Sequence, residues 1–245
     1  MLYRIKDLAL RILCVCVLGL VTVLVCLGQS TSRFEKAPLM TVQSNADSGD
    51  PEAQFELAYR YMAGRAGARG NETNFVQAAI WMQKSADQGF AIAQHNLGGL
   101  YYSGFGAPRD YVQAFKWYRK SADQGFSPSQ AFLGWAYSQG KGGLTEDYHE
   151  AIKWYSMAAE GGDQEAQLRL GMLYLKGEDL NPNYEEAYKW INLSAAQGST
   201  NAVKLRRKIS LSMTSDQVAE GQRRANDFAV GKPNEPADRN GAKTP

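Results

Sequence analysis

Four tryptophans recur along this chain at near-constant intervals, and that periodicity restricts the possible folds more than any other feature. Trp81, Trp117, Trp154 and Trp190 stand 36, 37 and 36 residues apart. Three residues before each is an alanine (Ala78, Ala114, Ala151, Ala187), and three before that an aromatic (Phe75, Tyr111, Tyr148, Tyr184). Eight after each tryptophan is a glycine: Gly89, Gly125, Gly162 and Gly198, with Gly49 extending the series backwards. A second pattern follows these glycines. Ala53-Gln54, Ala93-Gln94, Ser129-Gln130 and Ala166-Gln167 lead to Leu57, Leu97, Leu133 and Leu170. Tyr61, Tyr101, Tyr137 and Tyr174 come four later, and Gly64, Gly104, Gly140 and Gly177 close each run. Self-similarity at this period is the mark of a repeat array.

Both patterns have helical spacing. Ala53, Leu57 and Tyr61 fall at i, i+4 and i+8, and Phe75, Ala78, Trp81 and Ala86 make one apolar stripe. Glycine after the last periodic residue suits a helix terminus that needs positive φ. Each repeat is therefore expected to be a helix, a loop, a second helix and a tight glycine turn. Recurring alanines let the paired helices approach closely, and the aromatics fill the space between pairs. No single pair can bury its apolar face, so the pairs must stack. The expected boundaries are residues 50–89, 90–125, 126–162 and 163–198, with a cap at 199–229, the whole array spanning 46–229.

The phrases AAIWMQKSADQGFAIAQHNLGGLYYSG and AFKWYRKSADQGFSPSQAFLGWAYSQG closely resemble the Sel-one-like repeat (SLR) family, a relative of the tetratricopeptide repeat. The resemblance covers residues 46–198. It implies an all-α, right-handed α-solenoid of four helix-turn-helix repeats, and a role as an interaction scaffold. Many bacterial relatives are exported to the envelope. Some secreted ones are stapled by disulfides, which the cysteine-free array of this chain does not share.

Residues 12–27, ILCVCVLGLVTVLVCL, are apolar or nearly so, and no charge falls between Arg11 and Arg33. A helix over this gap is about 30 Å long, enough to cross a bilayer core. Positive charge lies mainly before it, which would keep the amino end cytoplasmic and place the remainder outside. Residues 1–30 are thus expected to be an apolar helix, either a membrane anchor or a signal peptide with an exit at Gly28-Gln29-Ser30. Residues 31–45 read as a polar connector, and residues 230–245 as a disordered tail rich in polar residues.

Charge and cysteine content narrow the function. The formal net charge is +2, from 27 basic and 25 acidic side chains. Arg4, Lys6 and Arg11 against Asp7 account for all of it, so the body is neutral and lacks the excess needed to neutralise phosphates. No nucleic-acid partner is expected. Cys14, Cys16 and Cys26 all lie in the apolar segment, so the array offers no disulfide, thiolate metal site or thiol nucleophile. No cofactor or metal is expected.

Little in the sequence points to catalytic chemistry. His95 and His149 fall in different repeats, and no H-E-x-x-H, Walker-type or S-x-x-K motif is present. Asp87, Asp123 and Glu160 recur one repeat apart, too far to share one substrate. Binding is the remaining route. In an array the recurring residues hold the fold and the variable ones are free for recognition. Removing the recurring positions of the first helices leaves Phe55/Tyr59, His95/Gly99, Ala131/Trp135 and Leu168/Met172, each an i, i+4 pair on one face. The resemblance puts the first helices on the concave side. Phe55, Tyr59, His95, Trp135, Leu168 and Met172 are the candidate partner-binding residues. Trp135 is the sharpest, as the one tryptophan of five out of register. The longer loop RAGARGNET after the first repeat's glycine is either a tolerated surface loop or part of a binding face.

At the carboxyl end, Asn201–Leu211 reads as a helix exposing Lys204, Arg206, Arg207 and Lys208. Ser215–Phe228 reads as a second helix with Ser215 as its N-cap, the two forming a polar cap. The expected function is a non-catalytic protein–protein scaffold of the cell envelope, binding a peptide or helix. The alternatives are an envelope enzyme or regulator acting on cell-wall material, and a glycan- or peptidoglycan-binding module.

Overall fold

The structure is a computed structural model, described over residues 32–66, 74–177 and 181–231. The apolar segment at 12–27, most of the loop RAGARGNET and the tail after Gly231 lie outside these residues. Among the described residues there are eleven α-helices and no strand. They are α1 (Leu39–Asp47), α2 (Pro51–Met62), α3 (Phe75–Asp87), α4 (Ala91–Ser103), α5 (Tyr111–Asp123), α6 (Ser127–Ser138), α7 (Tyr148–Glu160), α8 (Gln164–Lys176), α9 (Tyr184–Ala196), α10 (Thr200–Ser210) and α11 (Ser215–Val230). The even-numbered helices from α2 are the first helices of the expected repeats, and the odd-numbered ones from α3 the second. The chain divides into two compact units, one ending at Ala114 and one beginning at Phe115.

In both units the recurring residues have assigned tasks. Gln54, Gln94, Gln130 and Gln167 each donate from Nε2 to a backbone carbonyl eight residues earlier (Ala46, Ala86, Ala122 and Ala159), at 3.1 Å in all four cases. The acceptor is in the last turn of the preceding helix, whose final carbonyls have no intrahelical partner. The recurring glutamine therefore ties each first helix to the helix before it. Tyr61, Tyr101, Tyr137 and Tyr174 work through their main chain: each carbonyl accepts at 3.0 Å from the N–H of the residue just before the next helix. Those residues are Asn74, Asp110, Asp147 and Asn183, and the side chain of each accepts a backbone N–H three residues on at 3.0 Å. Each is thus an N-cap worth about 1 kcal/mol. This closure holds across loops of unequal length, which is how the first repeat takes its insertion.

The tight turns between repeats need glycine for its backbone. Gly162 has φ 93°, and a Cβ there would meet nothing within 4 Å, so the requirement is the left-handed conformation and not space. Inside the helices the reverse holds. A Cβ on Gly171 would lie 2.5 Å from Ile191 Cγ1, and one on Gly134 would lie 2.7 Å from the Tyr155 ring.

In the unit ending at Ala114, Ala53, Leu57, Ala78, Trp81, Ala93 and Leu97 are buried, and α2 packs against α1 and α3. Here the expectation of a polar connector at 31–45 is corrected. Residues from Leu39 form α1, with Val42 and Ala46 buried, and Phe34 is buried ahead of it. Arg60 fixes this segment: its guanidinium donates to the Phe34 carbonyl at 2.7 Å and to the Glu35 carbonyl at 3.2 Å, while its Nε bonds the buried Glu56 carboxylate at 2.7 Å. Composition conceals this, because the apolar residues involved are few and widely spaced.

In the unit beginning at Phe115, Tyr155, Ala158, Ala166, Leu170 and Trp190 form one buried cluster, and Leu168, Tyr188, Ile191, Ala202 and Ile209 another. The recurring tryptophans carry basic lids: Lys120 Nζ lies 4.0 Å from the centre of the Trp117 ring and Lys189 Nζ 4.4 Å from that of Trp190. The carboxyl-terminal pair departs from expectation by one residue. Thr214, not Ser215, is the N-cap of α11, and it forms a capping box with Gln217.

Candidate functional site: a cleft across successive first helices

The six candidate residues do not share one exposed face. Phe55, His95 and Leu168 are buried. Phe55 stacks edge-on against Phe90 at 5.5 Å, and Leu168 belongs to a core cluster. Burial holds the His95 imidazole neutral and lowers its pKa from 6.5 to about 4. Tyr59 is half-buried, with the Arg65 guanidinium 5.8 Å from its ring centre. The correction has a physical reason. First helices in a stacked array are packed on two sides, so Phe55, His95 and Leu168 beside the recurring stripe are also covered, whereas Tyr59, Trp135 and Met172, one turn on, keep some exposure.

Trp135 and Met172 come together. Both line a cleft of about 470 Å³ in the unit beginning at Phe115. Trp135 on α6 is half-buried: its ring packs on Phe132 at 5.3 Å and against the cluster around Tyr155, leaving an edge in the cleft. Met172 on α8 is 44% exposed. Leu205 on α10 joins them, and Leu173 and Leu175 add to Met172 on α8, so three successive first helices contribute apolar side chains. Leu205 is not among the six candidates, although it stands 37 residues after Leu168 and so continues that column into the cap.

The polar margin has two cations. Lys176 Nζ donates to Tyr148 Oη at 3.1 Å and lies 4.9 Å from its ring centre, while Tyr148 Oη bonds Glu146. Arg169 Nε donates to Glu165 at 2.7 Å. At the base of the cleft, burial pushes the Tyr155 phenol up to about 12, so it stays protonated at neutral pH. The side chains lining the cleft include no carboxylate or imidazole. Nearby Asp163, raised by burial, is committed as the N-cap of α8, accepting from Ala166 N–H at 2.7 Å. Among the described residues no three His, Cys, Asp or Glu side chains are grouped to hold a metal ion. The chemistry on offer is an aromatic edge, flexible aliphatic side chains and two cations at the rim.

Comparison with known proteins gives these helices a family. The description of the Sel1 repeat matches four consecutive segments, residues 51–90, 91–126, 127–163 and 164–199. Among solved structures, this chain is similar to c5321, a protective antigen present in uropathogenic Escherichia coli strains that displays an SLR fold. The two are 31% identical with a TM-score of 0.68, over 78% of this chain and 40% of that one. The chain thus corresponds to two fifths of the length of c5321. It also matches a Sel1 repeat protein from Oxalobacter formigenes at 36% identity and a TM-score of 0.48, over 53% of this chain and 95% of that one. No curated protein matches. Four matched repeats covering more than half of the sequence, each built on the same glutamine tie and glycine turn, show that the chain belongs to the Sel1 repeat family.

Proposed function

We propose that this chain is a non-catalytic protein–protein interaction scaffold of the cell envelope, and that it holds a peptide or helix of its partner against the first-helix face. Proteins of the Sel1 repeat family generally mediate protein–protein interactions. The observation that carries the reading for this chain is the cleft in which Trp135, Met172 and Leu205 line up from α6, α8 and α10. Trp is among the residues that most often dominate binding energy, and Met adapts its shape to an apolar ligand. Most of the surface of the cleft is apolar, which favours a peptide over a glycan. Arg169 and Lys176 at the rim suit a partner segment with acidic residues beside its apolar ones.

Location rests on the sequence. In this reading residues 12–27 hold the chain at a cytoplasmic membrane, or direct its export and are then removed, with the repeats outside the cytoplasm. Among the described residues no helix is long and apolar enough to cross a membrane, and residues 12–27 are not among them.

The test is a crosslinking pull-down from membranes with wild type, Trp135→Ala and Met172→Glu. Trp135 also packs against the core, whereas Met172 is exposed, so Met172→Glu is the variant that leaves the fold intact. Loss of the same protein from both variants supports the cleft, and an unchanged set of captured proteins refutes it. The mature mass separates the two fates of the leader, since cleavage removes about 30 residues.

A further inference from the structure

The neutral charge of the body conceals a division. Residues 31–198 carry 15 basic and 19 acidic side chains, whereas the cap between Ser199 and Gly231 carries six basic and three acidic ones. Three of those six cations are engaged. Arg206 turns inward and donates to Asn192 Oδ1 at 2.5 Å, which corrects the expectation that it is exposed with its neighbours. Arg223 bonds Glu220 and Asp227, and Arg224 bonds Glu220 and Glu186. Lys204, Arg207 and Lys208 remain, all exposed and with no ion-pair partner among the described residues.

These three stand at i, i+3 and i+4 of α10, one stripe of the helix. Leu211, at i+7, continues the stripe and is 86% exposed. At about 100° per residue the stripe lies opposite the buried Ala202 and Ile209. Like charges this close weaken the helix slightly, and an exposed leucine at its end gains nothing from the fold.

We infer that the outer face of α10 docks on the anionic lipid surface of a bilayer, Lys204, Arg207 and Lys208 meeting headgroup phosphates and Leu211 entering the interface. Two observations favour lipid over an acidic protein. The outer face of a single helix is convex and gives a peptide no walls, whereas a membrane is laterally continuous. The stripe also combines unpaired cations with an exposed apolar side chain, as helices that lie on membrane surfaces do. The bilayer would be the one in which residues 12–27 sit, so the source of the lipid rests on the location proposed above; the stripe itself does not.

The test uses the full chain with Cys14, Cys16 and Cys26 changed to Ser and an environment-sensitive fluorophore on Leu211→Cys. It is mixed with vesicles of phosphatidylcholine alone or with phosphatidylglycerol added. At about 1 kcal/mol for each basic residue near an anionic surface, the ratio of inserted to aqueous label should rise about 100-fold on the anionic vesicles. High salt should cancel the rise, as should Lys204→Glu/Arg207→Glu/Lys208→Glu, whose altered side chains are all exposed. The same fluorophore on Val112→Cys of α5, 78% exposed, should stay aqueous. Equal signal on both vesicles, or an aqueous label on both, overturns the inference; the second is the result if the stripe serves an acidic protein. Flotation reports separately on the leader. A chain that floats with neutral vesicles is held by residues 12–27 whatever the label shows, and one that floats only with anionic vesicles is held by the stripe alone.

Discussion

Acidification should destabilise the fold through a single buried imidazole. His95 is 3% exposed, and burial lowers its pKa from 6.5 to about 4. The unfolded chain takes up a proton there below about pH 6.5, whereas the folded chain does so only near pH 4. The folded pKa is the lower one, so the contribution is complete above about pH 6.5, declines as pH falls toward 4, and is constant below that. At about 1.4 kcal/mol for each tenfold difference in proton affinity, the whole loss is about 3 kcal/mol, a large fraction of the stability of an ordinary domain. The assay is urea unfolding at a series of pH values, comparing wild type with His95→Gln. Carboxylates titrate in both proteins, so the difference between the two curves isolates the imidazole. Wild type should lose stability relative to the variant as pH falls through this window. The only other histidine is His149, which is exposed. In a His149→Gln background, the NMR signals of the remaining imidazole should therefore report a neutral ring in the folded protein at about pH 5. Parallel stability curves, or a protonated ring at that pH, would refute the reasoning.

Two further substitutions test the fold. Arg60→Met removes the guanidinium from the buried Glu56 carboxylate at 2.7 Å and from the Phe34 and Glu35 carbonyls; denaturant unfolding should show a loss of about 3–5 kcal/mol, and amide exchange should rise across Phe34–Val42. Gly171→Ala drives a Cβ to 2.5 Å from Ile191 Cγ1 and 3.0 Å from the Ala187 carbonyl. Despite the better helix propensity of alanine, the variant should be destabilised by about 1–3 kcal/mol in the same assay.

How much of this could be read from the sequence depended on the kind of signal. Residues that recur for packing, such as Trp81 and Ala78, announce helices through their spacing. Gln54 and its equivalents were visible as a column, but their bond to a carbonyl eight residues back needs the path of the chain. Asn74, Asp110, Asp147 and Asn183 are a further recurring column, one residue before each aromatic, and could have been recognised as N-caps. The first helix was missed because Val42 and Ala46 alone do not make a stripe. The exposure of the candidate ridge was only partly legible. Subtracting the recurring positions assumes that everything left over faces solvent, yet Phe55, His95 and Leu168 fill space between helices. Trp135 and Met172, one turn beyond that packed side, keep some exposure and line the cleft. The pairing of Arg206 with Asn192, which separates it from Lys204, Arg207 and Lys208, depends on a contact between helices that no spacing reveals.

The central claim is that the cleft formed by Trp135, Met172 and Leu205 receives a protein partner. The most direct measurement places a photo-crosslinking amino acid at Met172 in the native host, with the same residue at Val112 as a control. The account requires one discrete adduct from position 172, absent from position 112, that disappears when Leu205→Glu is added. A Met172 probe that yields no adduct, or the same products as Val112, would contradict it.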